Sequence, residues 1–506
     1  MLASGTDAAG TGFDLPGAQR SRRPSDRPPA SAPRPRKQTV TATPRSTTRP
    51  LDGQGVPAAR TAPPQGPDAG EAVVPQGPAH HDGAHDEGAD EVLPDVGASW
   101  TTAQRVRLIL TLGVLVALGP LTIDMYLPAL PNIGEQLLAT QAQAQLTLTG
   151  LLGGLALGQL VLGPLSDRFG RRKVLLSGVA THAVASVLCS LAPTIEFLTA
   201  ARVLQGVASA ASAVVALAVV RDLFSGIAAA RTLSRLTLVM GAAPIVAPTL
   251  GGFLLVHTSW RGVFVTLAGF AVVLLLVAAK LLPETLPPER RRHGGAASVV
   301  RTYGSLLKDR RFVGLVLVAG LAFSIMFAYI SGSTFVLQDV YGLSQQQYAL
   351  AFGSGAVLLI GATQLNPVLA ERFHPVRVMQ AGLTSALVLT ATLLVLVATE
   401  TGGLFGLLVP LWLTLGSIGF VLPNGPALAL TRHGRAAGTA AAVLGCTQFG
   451  IGALAAPIVG LVGGGAVGMV AVMVGAATLA VTVLMVVVQP KVLDDRTPRR
   501  VAAAAA

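Results

Sequence analysis

The chain has 506 residues, 51% hydrophobic and only 12% charged, with a mean hydropathy of +0.61. So little charge combined with many long apolar runs excludes a water-soluble globular domain and marks an all-α polytopic membrane protein. The net charge of +12 does not indicate a nucleic-acid binder. The basic residues of the apolar region fall in short loops, not along the continuous face that nucleic acid requires.

Residues 1–104 are rich in Pro, Gly and Ala, with no apolar period, and are expected to form a disordered cytoplasmic tail. Its charge is a diblock: residues 1–60 carry ten Arg and Lys against four acids, and 61–100 carry eight acids and no Arg or Lys. His80-His81-Asp82 and His85-Asp86-Glu87 offer ligands for a weakly held divalent metal, but a solvated acidic linker is the favoured reading. No metal or cofactor is expected. Cys189 and Cys446 each sit inside an apolar run and read as small buried hydrophobes.

Twelve apolar runs follow, at 105–127, 144–165, 174–192, 197–220, 233–256, 261–282, 312–335, 347–370, 376–398, 403–424, 436–460 and 466–488. Each is near the ~20 residues with which a helix crosses a ~30 Å hydrocarbon core. The even-numbered loops between them hold eighteen Lys and Arg and the odd-numbered loops only Arg261, which predicts that both termini are cytoplasmic. The expected organisation is a six-helix bundle over 105–282, a cytoplasmic central loop over 283–311, a second six-helix bundle over 312–489 and a cytoplasmic tail over 490–506.

The second loop is a dense charged knot, Gly163-Pro164-Leu165-Ser166-Asp167-Arg168-Phe169-Gly170-Arg171-Arg172-Lys173. It reappears in degraded form after the eighth run as Asn366-Pro367-Val368-Leu369-Ala370-Glu371-Arg372-Phe373. Two repeated, pseudo-symmetric six-helix bundles around a midplane cavity are the expected architecture of a secondary transporter.

At the knot the chain resembles the major facilitator superfamily, whose loop signature reads G-x-L-(S/A)-D-R-x-G-R-(R/K). Arg202-Val203-Leu204-Gln205-Gly206 is similar to its fourth-helix pattern. Pro248-Thr249-Leu250-Gly251-Gly252 is similar to the end of its antiporter pattern, with Ala243 and Ala247 where the pattern has Gly. Thr122-Ile123-Asp124-Met125-Tyr126-Leu127-Pro128, Trp260-Arg261 with Phe264, Leu282-Pro283-Glu284-Thr285-Leu286, and Tyr329 to Phe335 resemble the Bcr/CflA drug-resistance branch. The resemblance covers about 105–490. It implies proton-coupled antiport that exports lipophilic or cationic drugs or small metabolites.

Asp124 is the one acid within the interior of an apolar run, and an ionisable group there is functional by default unless it snorkels outward. It is the expected proton carrier. Arg202 lies about two turns inside the fourth run with Gln205 on the same face, and needs an anionic or carbonyl partner. The resemblance supplies Asp124, so a switched Asp124–Arg202 pairing is expected, with a structural brace as the rival. Pro244, Pro248, Gly251 and Gly252 predict a bent, closely packed fifth helix, which in the resembling antiporters seals the bundle against proton leak. Gly163, Asp167, Arg168, Gly170, Arg171 and Arg172 are read, by the resemblance, as a conformational lock, against topology alone. Tyr126, Gln205, Phe327, Tyr329, Gln338, Asn366 and Gln448 are candidates for the solute cavity.

The leading expectation is a monomeric, multi-pass antiporter of the cytoplasmic membrane. The alternative is a dedicated exporter of one metabolite, such as an amino acid derivative or a self-made antibiotic. A receptor or enzyme is disfavoured, since the chain shows no nucleophile with His and acid partners, no phosphate-binding Gly loop opening on a soluble domain and no metal-ligand spacing within the spans.

Overall fold

A computed structural model describes residues 100–291, 296–431, 433 and 437–490. The acidic histidine clusters, the charge diblock and the C-terminal tail expected from the sequence lie outside the described residues. Twelve helices are long and apolar enough to cross a membrane, and no strand occurs among the described residues. In chain order these are α1 (Thr102–Gln136), α2 (Gln141–Phe169), α3 (Arg171–Ser190), α4 (Ile195–Leu223), α5 (Gly226–His257) and α6 (Trp260–Leu281). A short helix α7 (Ala296–Lys308) follows. The second set is α8 (Arg310–Val340), α9 (Gln345–Arg372), α10 (Pro375–Ala398), α11 (Gly403–Thr431), α12 (Ala437–Leu461) and α13 (Gly465–Val488).

These segments are helical because a bilayer offers backbone amides no other partner. Their outward faces are apolar: Leu110, Phe253, Val388 and Phe405 are all exposed. That pattern suits hydrocarbon as solvent and would be an aggregation hazard in water. The repeat seen in the sequence extends to the helix starts. Thr140 with Gln143 and Ser344 with Gln347 form capping boxes that open α2 and α9, and both helices carry a proline near the far end, Pro164 and Pro367.

Two departures from the predicted spans matter for the site. The first span does not end at 127: α1 breaks after Asp124 into a turn, a 3₁₀ segment Leu127–Ala129 and a final helix Leu130–Gln136. Pro128 and Pro131 remove the amide donors that a continuous helix would use there. Asp124 therefore ends a helical segment inside the span. The central connection is also not a plain loop, because α7 fills much of it; Leu306 is buried and the Tyr303 hydroxyl donates to the Leu160 carbonyl at 3.0 Å.

The two halves meet along α2 with α12 and α5 with α9. At the end away from the Arg171 loop the seam is closed by Gln145 Nε2 donating to the Ser331 carbonyl (3.1 Å), Thr149 Oγ1 to the Ala453 carbonyl (3.1 Å) and Gln338 Nε2 to the Pro128 carbonyl (3.3 Å). At the Arg171 end a cavity of about 390 Å³ opens between α2, α4, α7 and α12, lined by Gln159, Asp167, Arg171, Arg221, Asp222 and Tyr303 among others.

Candidate functional site: a buried polar ring beside Asp124

Inside the first half, α2 and α4 approach so closely that a Cβ at Gly154 or Gly206 would strike the opposite backbone. Small residues allow this contact, and it draws α4 in against α1 and α3. Arg202 on α4 is thereby fully buried. Its Nη1 donates to the Thr122 carbonyl (3.1 Å) and to Gln205 Oε1 (2.7 Å). Its guanidinium carbon lies 4.0 Å from the Tyr126 ring centroid and 5.5 Å from that of Phe264. Aromatic faces of this kind stabilise a desolvated cation by about 2 kcal/mol, yet Nε and Nη2 have no hydrogen-bond partner.

From Gln205 the bonds continue. Gln205 Nε2 donates to Ser186 Oγ (2.7 Å), which sits 3.4 Å from His182 Nδ1, and His182 Nε2 lies 2.9 Å from Thr122 Oγ1. Because the Thr122 carbonyl is held by Arg202, the chain closes into a ring through α1, α3 and α4.

Asp124 is two residues beyond Thr122 and 3% exposed. Its Oδ1 has no hydrogen-bond partner. The carboxyl does not engage Arg202, which turns to the Thr122 carbonyl and Gln205 instead. It lies within electrostatic reach of the Tyr329 and Tyr348 phenols of the second half. Tyr348 is held by Thr334 at 2.9 Å, and Tyr329 stacks on Phe352 with centroids 5.2 Å apart.

The fifth helix packs where the sequence expects a close neighbour. A Cβ at Gly251 would strike the Met125 carbonyl, immediately after Asp124, and one at Gly252 would meet Gln345 and Ala349 of α9. Pro248 is buried and Pro244 partly so, and α5 runs through both as one helix. Gly251-Gly252 thus occupies the seam between the α1 break and the second half.

The charged knot forms a corner within the first half. Arg171 Nη1 pairs with Asp167, and Nε with Asp222 Oδ2 at the end of α4 (3.0 Å); Nη1 also reaches Ser166 Oγ (2.6 Å). Glu284, beyond α6, accepts from the α3 N-terminal amides of Arg171 (2.8 Å) and Arg172 (3.3 Å). Asp167 thus takes the basic residue, and Glu284 takes the amides. Gly170 adopts φ +97°, and a Cβ there would collide with Glu284. Arg172 Nη2 donates to the Ala279 carbonyl (2.6 Å), whereas Arg168 is exposed over Phe169 and Gly163 makes only ordinary contact with Val214.

These contacts separate two effects. Asp167→Asn leaves Arg171 its bonds to Asp222 and Ser166, so the expected outcome is an unchanged unfolding temperature in detergent with turnover slowed about tenfold. Glu284→Ala removes the cap of α3 and is expected to lower stability by about 1–2 kcal/mol.

The solute-cavity candidates scatter. Tyr126 and Gln205 belong to the buried ring. Phe327 packs with Phe323 and Phe449 at centroid distances of 5.9 and 6.5 Å. Gln338 closes the seam, and Asn366 pairs with Asn424 (2.7 Å). Gln448 is 9% exposed on α12. Sequence reasoning passed over Thr122, His182, Ser186, Asp222 and Asn424. His182 carried a legible signal, being the one histidine within any of the twelve apolar runs.

Twelve helices in two repeated halves, with a cavity between them at one end and buried charge in the span, define a multi-pass membrane transporter. The model of the Major Facilitator Superfamily matches residues 112–457. The chain is 38% identical to the MFS-type transporter YdgK of Bacillus subtilis, over 71% of this chain and 90% of that protein. It is 30% identical to the bicyclomycin resistance protein homolog of Haemophilus influenzae, over 69% of this chain and 88% of that protein. A solved bacterial homolog of the human lysosomal transporter Spinster, inward-facing and occupied, aligns with a TM-score of 0.60 at 16% identity, over 79% of this chain and 98% of that one. The chain belongs to the major facilitator superfamily.

Proposed function

We propose that the protein is a proton-coupled antiporter that exports drug-like or small metabolite solutes across the cytoplasmic membrane by alternating access. The observation that carries this reading is Asp124: a carboxyl inside a span, at a helix break on the seam between the halves, buried and with a partnerless Oδ1. Burying an uncompensated carboxylate costs several kcal/mol, so this pose suits the proton-loaded acid. Arg202, with two unpartnered nitrogens and its Nη1 on the carbonyl of Thr122, two residues before Asp124, is the proposed partner for the carboxylate once the proton leaves. The bias of Lys and Arg supports a cytoplasmic side for both termini and the Arg171 end, and on that reading the cavity is inward-facing. The bicyclomycin resistance homolog among the relatives supports export of a drug-like solute.

In this cycle an external proton neutralises Asp124, the outer seam closes over it, and the cavity opens inward. Proton release to the cytoplasm leaves a carboxylate that turns to Arg202, and solute entry accompanies the return to the outward-facing state. The test is flux in proteoliposomes across an imposed pH gradient with a panel of lipophilic and cationic solutes. Solute movement that collapses with the gradient is the expected result, and flux indifferent to the gradient would sink the antiport reading. A panel in which one solute alone moves would make this a dedicated exporter.

A further inference from the structure

His182 belongs to no part of the cycle described above, yet it is fully buried at the centre of the first half. Its bonding fixes its tautomer. Thr122 Oγ1 donates to the Leu118 carbonyl at 2.6 Å, so toward His182 Nε2, 2.9 Å away, it can only accept. Nε2 therefore carries the hydrogen. Nδ1 carries none and lies 3.4 Å from Ser186 Oγ, whose own hydrogen goes to the His182 backbone carbonyl at 2.8 Å while the oxygen receives Gln205 Nε2 at 2.7 Å. The neutral imidazole donates to α1, and the backbone carbonyl of the same residue holds the Ser186 arm that ends on Arg202.

We infer that His182 is a positioning residue for proton coupling, holding Arg202 on the Thr122 carbonyl and away from Asp124 until the proton is released. The inference rests on the antiport reading. Arg202 Nη1 is shared between the Thr122 carbonyl and Gln205 Oε1; the imidazole anchors the first by way of Thr122 Oγ1, and the second is tied through Ser186 to the His182 backbone carbonyl. Without that anchor the guanidinium can swing toward the carboxyl early. A cation within reach favours the ionised acid, so protonation then demands a lower pH. The charged group beside the imidazole is Arg202 on α4, and the titratable groups that face Asp124 are Tyr329 and Tyr348 of the second half. The helices α2 and α6 bring none between Gln141 and Ser166 or between Gly262 and Ala279.

The experiment is gradient-driven export by the reconstituted full chain as a function of pH, for wild type, His182→Phe, His182→Gln and Thr122→Val. Solute exchange without a gradient is measured alongside, since it needs a folded transporter but no net proton release. The expected result for His182→Phe is a profile moved toward acid by about one pH unit, a maximal rate lowered about tenfold, and little change in KM. His182→Gln, which keeps an N–H donor, is expected to restore the profile. Thr122→Val removes the acceptor from the other side with little change in shape and is expected to match His182→Phe, so the inference survives the loss of either variant to misfolding. Profiles identical to wild type in His182→Phe and Thr122→Val, with exchange intact, would overturn it. A wild type whose export ignores the gradient would instead remove the antiport reading on which it stands.

Discussion

Asp124→Asn is expected to abolish gradient-driven export, by at least ~100-fold, while solute binding and gradient-free exchange survive. A loss of that size corresponds to about 2.7 kcal/mol or more in the coupled step. Asparagine has nearly the shape of the neutral acid and can neither take up nor release a proton, so the step that ties solute movement to the gradient is lost. The partnerless Oδ1 of Asp124 means that no ion pair is broken by the change. The fold is therefore expected to hold, with an unfolding temperature in detergent close to that of wild type. Binding is checked by solute titration of the detergent-solubilised variant, and coupling by proteoliposome flux. Full gradient-driven export in the variant would remove Asp124 as the proton carrier.

The position of that carboxyl explains why closure and protonation are linked. The α1 break presents Asp124 at the point where Met125 lies under Gly251, while Gly252 faces α9. Three backbones converge within two residues of one ionisable group. Separating the halves there admits water, and water favours the carboxylate; closing them expels it. The same junction carries the Gln338 bond to the Pro128 carbonyl, so the 3₁₀ segment after Asp124 is tied directly to the second half.

The twelve spans and their grouping were legible because hydropathy over about 20 residues reports the solvent directly, and the repeat was visible at Pro164 and Pro367. Arg202 and Gln205 could be placed on one face by their spacing of three. What closes the ring could not. Thr122 lies 80 residues from Arg202 and 60 from His182, and threonine in a span commonly bonds only its own helix. The knot shows the same limit: its residues stood out as a group, but Asp222 and Glu284, which hold Arg171, are 51 and 113 residues away. The aromatic cavity candidates show a different limit. Tyr126, Phe327 and Tyr329 are apolar enough to pack as well as to face a solute, and here they lie against Arg202, other rings and Phe352.

Arg202→Met is expected to leave the fold at least as stable as wild type and to remove export at least ~100-fold, a separation that an ordinary core substitution does not give. The guanidinium is fully buried, two of its nitrogens are unpartnered, and no carboxylate faces it in this state. Desolvating such a cation costs several kcal/mol, against about 2 kcal/mol from the rings of Tyr126 and Phe264 and the bonds from Nη1. An unbranched apolar side chain of similar length fills the space under those rings without that penalty. It leaves the Thr122 carbonyl and Gln205 Oε1 with one donor fewer, which offsets part of the gain. Function moves the other way, because a carboxylate at position 124 loses the cation proposed as its partner and is disfavoured when the proton should leave. The paired measurements are thermal unfolding in detergent and gradient-driven flux in proteoliposomes. An unfolding temperature well below wild type would identify Arg202 as a structural brace, and undiminished flux would show that the carboxylate has another partner.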